Sequence, residues 1–236
     1  MLRWAVLGAA LFVAVSVLQV LAARFVDPPF TLTMVERAWE AGRWPERRHV
    51  ALADAGPVAR AFVSSEDGRF FLHRGFDWEA ICAALEHNAK SDRIRGGSTI
   101  SQQVAKNVFL WQGRSWVRKG LEVWYTVLLE LLVPKQRILE LYLDVAETGP
   151  LVFGAEAGAR HHFGKSAGTL SLEQAGRLAG ILPDPRNRSV KGESATRRAS
   201  FVKANLAPFP GDPGWDEVKR RWDADGHGPW TCLAGR

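Results

Sequence analysis

Between Trp4 and Ala23 the chain carries no charged residue. A run of that length matches the ~20 residues a helix needs to cross a bilayer. Arg3 precedes it and Arg24 follows it. Val20-Leu21-Ala22 offers a small-x-small cleavage pattern, but the apolar run outlasts the ~7–15 residues of a secretory h-region. The expectation is therefore a membrane anchor over residues 1–24, with everything after it constrained to work beside a membrane. The rest of the 236 residues suffices for one ordinary domain.

The formal net charge of +6 suits anionic partners but does not choose among them. The single span and the lack of any recognised nucleic-acid motif argue against DNA or RNA. Of the two cysteines, Cys82 sits in an apolar helical stretch and reads as a small buried hydrophobe, and Cys232 lies in the tail. Neither suggests a disulfide framework or a metal site.

Beyond the anchor, residues 25–49 read as a connector. A short helix is expected from Thr31 to Trp44, with Met34, Val35, Ala38 and Trp39 on one side. From Val58 to Pro185 the pattern is helical throughout, with no long strand-like alternation and no repeat. Asp77 N-caps a helix whose inward residues are Ile81, Ala84 and Leu85. Thr99 and Gln102 form a capping box for a second, with Ile100, Val104 and Val108 inside. Ser115 caps a third, its apolar face being Val117, Leu121, Trp124, Leu128 and Leu132. Pro134 opens a fourth, which buries Ile138, Leu139, Tyr142, Leu143 and Ala146. Ser171 and Gln174 box a late helix running to Pro183, and one more spans Ala195 to Leu206. The tail after Ala207, with Trp215, Trp222 and Trp230, reads as irregular. The fold class is all-α: one helical domain, residues 50–206, behind one transmembrane helix, with residues 207–236 as tail.

Three clusters carry chemistry. In Glu66-Asp67-Gly68-Arg69-Phe70-Phe71-Leu72-His73-Arg74-Gly75-Phe76-Asp77, the adjacent acids point in different directions, so Glu66 and Asp67 take different roles. A carboxylate near aromatics is suited to general acid/base work, because partial desolvation raises its pKa. A surface acid pair explains the same residues when they are taken alone. Next, Arg95-Gly96-Gly97-Ser98 leads into a helix on which Thr99, Gln102, Gln103 and Lys106 make a polar stripe. The glycines permit close backbone approach, the helix N-terminus suits a phosphate, and the glutamines suit hydrogen bonds to a sugar. The spacing is not that of a P-loop. Finally, Arg118 and Glu122 stand one helical turn apart. They are either a plain intrahelical ion pair or, with Lys119, a diphosphate clamp in which Glu122 orients the cations or a divalent ion.

In that order, these clusters resemble the glycosyltransferase domain of peptidoglycan polymerases, and specifically the monofunctional biosynthetic peptidoglycan transglycosylase family. Glu66–Asp77 fits Glu-Asp-x-x-Phe-x-x-His-x-Gly-Phe-Asp. Gly96–Asn107 fits Gly-Gly-Ser-Thr-Ile-x-Gln-Gln-x-x-Lys-Asn. Lys135–Asp144 fits Lys-x-x-Ile-Leu-Glu-x-Tyr-Leu-Asn, with Asp144 in place of the usual Asn. Phe153 to Lys165 and Leu182-Pro183-x-Pro185 also match, with Gly158 where Ala is usual. The likeness runs from about Val50 to Asn187.

The resemblance implies a lysozyme-like fold and the polymerisation of lipid II with loss of undecaprenyl diphosphate. Glu66 would be the base, and Glu122 a second catalytic-site acid. Lys106, Arg118 and Lys119 would receive the diphosphate, while Ser98, Thr99, Gln102, Gln103 and Asn107 would align the sugars. Asp67, Phe70, His73, Gly75, Asp77, Gly96 and Gly97 would shape the motifs. No organic cofactor is implied, and a divalent cation, Mg or Mn, is admitted at the diphosphate. The implied partners are lipid II, the growing glycan strand, the membrane and other cell-wall synthesis proteins. The location implied is the bacterial inner membrane with the catalytic domain outside. Two rival readings are a membrane-anchored lytic transglycosylase or muramidase, which would need no diphosphate clamp, and an inactive membrane-anchored scaffold. The Val108–Trp111 segment and Trp116 are expected to touch the lipid interface.

Overall fold

The computed structural model describes residues 1–91, 96–113 and 115–228. Arg95, Trp230 and Cys232 lie outside that set. Among the described residues the chain is helical, in the order α1 Leu2–Phe25, α2 Leu32–Ala41, α3 Pro57–Glu66, α4 Trp78–Lys90, α5 Ile100–Phe109, α6 Trp116–Leu132, α7 Lys135–Val145, α8 Ala155–Phe163, α9 Leu172–Ala179, α10 Glu193–Ala204 and α11 Trp215–Asp225. A small sheet sits beside them: β1 Glu46–Arg47 pairs parallel with β3 Val152–Phe153, and β3 pairs antiparallel with β2 Glu147–Gly149. At two or three residues each, these strands are too short to produce a readable alternation.

α1 has 24 residues and a mean hydropathy of 2.4, long and apolar enough to span a bilayer. Its second half also docks on the domain, burying Ser16, Val20 and Ala23. Trp124 Nε1 donates to Ser16 Oγ (3.0 Å) and the Tyr125 hydroxyl to Gln19 Oε1 (2.6 Å). At the α6–α7 corner, Arg24 Nη1 reaches Leu132 O (2.7 Å) and Arg137 Nε reaches Ala23 O (3.1 Å). α1 therefore joins the domain through a packed, hydrogen-bonded corner.

The core is built where α3, α5, α7 and α9 meet. Phe62, Ile100, Val104, Ile138, Leu139, Leu143 and Leu178 are fully buried. All five inward residues expected for α7 are buried. Each capping residue expected for α4, α5, α6 and α9 accepts the backbone N–H that its role requires. On α9, a Cβ at Gly176 would stand 2.7 Å from Ala199 Cα, and one at Gly180 2.7 Å from Ala195 Cα. These two glycines let α10 lie close against α9, which delivers Arg198 to the functional cleft.

Other expectations are corrected. Leu85 and Trp39 point outward, at 61% and 90% exposure. On α6, Val117 is exposed and the buried face is Glu122, Tyr125, Thr126, Leu128 and Leu129. Trp124 packs on Phe12 and Ser16 of α1. α1 covers part of α6, so the helix is buried over a different arc than its own pattern suggested. α9 stops at Ala179, short of Pro183. Cys82 is half-buried and disulfide-bonded, so it is not the small core hydrophobe expected.

The tail expected to be irregular contains α11, because its aromatics find partners on the first motif. Phe209 packs on Phe71 (4.8 Å between centroids) and Arg69 lies over Trp222 (5.4 Å). Arg60 grips Asp212 with two bonds of 2.6 and 2.8 Å.

The two departures from the family pattern are accommodated. A Cβ at Gly158 would meet Thr148 Oγ1 at 2.6 Å, so the smaller residue makes room for a larger neighbour. Asp144 is fully buried and is matched by His49 Nδ1 (2.7 Å), Arg47 Nη2 (3.4 Å) and Val50 N (3.3 Å). An imidazole, a guanidinium and a backbone N–H thus meet this carboxyl where an amide is usual, while burial pushes its pKa up from the ordinary value.

Candidate active site

Glu66 is the last residue of α3, where the helix gives way to a turn and the side chain reaches a cleft. That cleft, about 700 Å³, is lined by Ser64 to Arg69, Asp77, Gly96 to Thr99, Arg198 and Asn205 to Pro208, among others. Glu66 Oε2 accepts from Gln103 Nε2 (3.2 Å) and Oε1 from Ser65 Oγ (3.3 Å). Burial pushes the Glu66 carboxyl up from its ordinary value. The Gln103 bond, Arg198 and Ser65 pull it back, and Asp67 adds to the rise. A carboxylate that is desolvated and only lightly hydrogen-bonded is a good proton acceptor.

Asp67 has the different role its position predicted. It is buried, takes His73 Nε2 at 2.9 and 3.1 Å, and accepts from Ile100 N (2.9 Å). It thereby ties the first motif to the start of α5. Asp77 caps α4 through Ala80 N (2.9 Å) and holds Arg69 Nε (2.9 Å). Phe70 is fully buried under Lys135, whose Nζ is 4.2 Å from the ring centroid. Gly75 has φ +84°, where any side chain is strained, and a Cβ there would meet Glu130 and Thr126 at 2.9 Å. Its carbonyl accepts from Thr99 Oγ1 (2.6 Å). Gly97 packs on α4, within 3.4 Å of Ile81 Cα and Ala84 Cβ for an added Cβ, and Gly96 is exposed at the cleft edge.

The polar stripe of α5 divides into two sets. Thr99 and Gln102 are buried, with their side chains engaged in the capping box. Thr99 lines the cleft with its hydroxyl already bonded, and Gln102 serves the helix end. Ser98, Gln103, Lys106 and Asn107 remain accessible. Gln103, Lys106 and Asn107 line a second cavity of about 160 Å³, along with Thr33, Arg37, Gln112, Tyr142 and Glu147. Gln103 lines this cavity and bonds Glu66, which lines the first, so the Glu66–Gln103 pair stands between the two.

The basic pole follows one turn further along α5. Glu122 is buried, with Arg118 Nη1 at 2.8 Å and Lys119 Nζ at 2.5 Å. Lys106 feels this group. Burial lowers its pKa most, Glu122 opposes that fall, and Arg118 and Lys119 add to it. Three cations thus share one carboxylate, and Arg118 Nε is a buried donor with no hydrogen-bond partner among the described residues. The arrangement has charge and hydrogen-bonding capacity left for an anion. Glu122 faces these cations, and its two oxygens are taken by Arg118 and Lys119. A divalent ion on Glu122 would have to displace both, so these residues do not fit a protein-held metal.

Four contributors were not singled out from the sequence. Arg198 was part of a basic run without a marker separating it from its neighbours. Tyr142 was placed in the core. Arg37 and Glu147, an ion pair at 3.5 Å, come from α2 and β2 and meet only in the fold.

A mainly helical domain behind an apolar helix, with a desolvated carboxylate linked along α5 to an anion-seeking cation cluster, suits an enzyme of the glycosyl-transfer class. The transglycosylase family profile matches residues 34–207. The chain is 53% identical over 219 residues to a biosynthetic peptidoglycan transglycosylase of Xanthomonas oryzae pv. oryzae, covering 89% of each chain. It is 48% identical over 230 residues to the protein of that name from Pseudomonas fluorescens, covering 93% of each. A Stutzerimonas stutzeri relative of the same name is 46% identical over 217 residues, covering 88% of this chain and 89% of its own. This protein belongs to the transglycosylase family.

Proposed function

We propose that the protein polymerises lipid II into peptidoglycan glycan strands, releasing undecaprenyl diphosphate, with Glu66 as general base. Glu66 takes the proton of the acceptor sugar hydroxyl as that oxygen attacks the donor anomeric carbon with inversion. The bond from that carbon to the diphosphate oxygen breaks. Lys106, Arg118 and Lys119 receive the departing charge, held in place by Glu122. Ser98, Gln103 and Asn107 align the sugars.

The observation that carries this reading is the link along α5. Gln103 bonds Glu66, and Lys106, one turn on, is electrostatically joined to Arg118, Lys119 and Glu122. A muramidase acting on neutral glycan has no use for an anion-seeking cluster at that point.

A polyprenyl substrate stays in the bilayer, since each buried methylene is worth ~0.8 kcal/mol. α1 would hold the domain there, on the outer face of the bacterial inner membrane. Trp111 and Trp116, 42% and 92% exposed, would add interfacial contact. Phe109 stacks on Tyr125 (4.7 Å, 6°) and so contributes to packing.

The test is a lipid II polymerisation assay on wild type and Glu66→Gln. Glycan polymer from the first and none from the second is expected. Equal polymer from both would overturn the assignment of the base, and soluble fragments from purified sacculi would favour the lytic reading.

A further inference from the structure

We propose that Tyr142 is a positioning residue whose hydroxyl sets the amide of Gln103, so that the nitrogen end faces Glu66. This rests on the reading of Glu66 as base. Tyr142 lies in the middle of α7, 1% exposed, with its ring edge-on to Phe62 at 6.1 Å. Packing alone would be served equally by phenylalanine. A buried hydroxyl is unfavourable without a hydrogen bond, and this one donates to Gln103 Oε1 at 3.4 Å. The other end of the same amide, Nε2, donates to Glu66 Oε2 at 3.2 Å. The three side chains form one line, Tyr142 to Gln103 to Glu66, contributed by three helices.

A glutamine amide is nearly symmetric in shape and opposite in chemistry at its two ends. With Nε2 towards Glu66, the ionised carboxylate is stabilised. With the oxygen towards Glu66, only the protonated acid can pair with it. The tyrosine proton decides between the two, because it needs the amide oxygen on its own side. Burial, with Glu66 and Asp67 nearby, raises the Tyr142 pKa well above its ordinary value, so the hydroxyl keeps its proton. Tyr142 therefore favours the form of Glu66 that can accept a proton, working against the desolvation that favours the neutral acid. The other charged groups facing Glu66 are Arg198 from α10, which favours ionisation, and Asp67, which opposes it. Neither orients the amide.

The test uses the full chain and the pH dependence of lipid II polymerisation. Tyr142→Phe keeps the ring and removes the donor. Its acid limb should move to higher pH by about half a unit, a roughly threefold rate loss on that limb that vanishes at higher pH. Gln103→Ala should also move the limb upward. Tyr142→Phe added to Gln103→Ala should move it no further, because the tyrosine acts only through the amide. A merely structural tyrosine would change the thermal midpoint and leave the limb in place. An unmoved limb in either single variant, or an equal shift by Tyr142→Phe in both backgrounds, overturns the proposal. The assignment of the base fails separately, if Glu66→Gln still polymerises.

Discussion

Two glutamates bear on α5, Glu66 through Gln103 and Glu122 through Lys106, and the protein treats them in opposite ways. Glu66 is desolvated, holds only weak neutral donors and sees one guanidinium at a distance, so its proton affinity rises. Glu122 is more deeply buried, yet both its oxygens are paired with cations. The first is left available for a proton; the second is committed to holding positive charge in place. Burial alone does not set the role of a carboxylate. What sets it is whether the surroundings offer charge or only neutral hydrogen bonds.

The harshest test of this contrast is to neutralise each acid in turn. Glu66→Gln should lower the polymerisation rate by about 10²–10⁴-fold, the usual worth of a general base, with the substrate KM little changed. Glu122→Gln should lower it by about 10²-fold, because displaced cations misplace the leaving group. That variant should also unfold at lower temperature, by about 1–3 kcal/mol, since Arg118 is left buried without its partner. If the two losses were equal with no stability cost at Glu122, the distinction would fail.

A finer test moves the cation beside Glu66. Gly176→Val drives a side chain into Ala199 and pushes α10 away. It should cost about 1–3 kcal/mol by overpacking, read as a lower thermal midpoint. Because Arg198 rides on α10, the acid limb of activity should rise at the same time.

The smallest expected effect is in stability against pH. The folded pKa of Glu66 lies above its unfolded value. Its contribution is therefore fully present below the unfolded pKa and is lost as pH rises through the folded one. Glu66→Gln should remove that loss, leaving the variant slightly more stable than wild type at neutral pH. With Glu66 as the proposed base, the activity of the wild type should run the other way, rising with pH through the same raised pKa, because a base works only when ionised. A neutral-pH midpoint for Glu66→Gln below that of wild type would contradict the desolvated environment.

Much of the fold was legible because its signals are local. The capping residues Asp77, Thr99, Ser115 and Ser171 act on backbone groups three positions away. The α7 core face repeats at helical spacing. The divergence of Glu66 and Asp67 follows from two neighbours leaving the chain in different directions. The misses share the opposite character. Val117 and Leu85 were misread because the partner that buries a helix face comes from elsewhere in the chain. α11 was missed because its aromatics gain their worth only against Phe71 and Arg69.

The sequence by itself determined the long apolar N-terminal helix, the helical class, and which carboxylates and cations are available to the proposed chemistry. These depend on composition and on spacing within a few turns. Only the tertiary structure decided which of them share a cleft, that Thr99 and Gln102 close a helix end, and that Arg198 and Tyr142 bear on Glu66. Those outcomes depend on burial and on contacts between distant segments. Proton affinity and hydrogen-bond pairing respond to what surrounds a group in space, whatever its place along the chain.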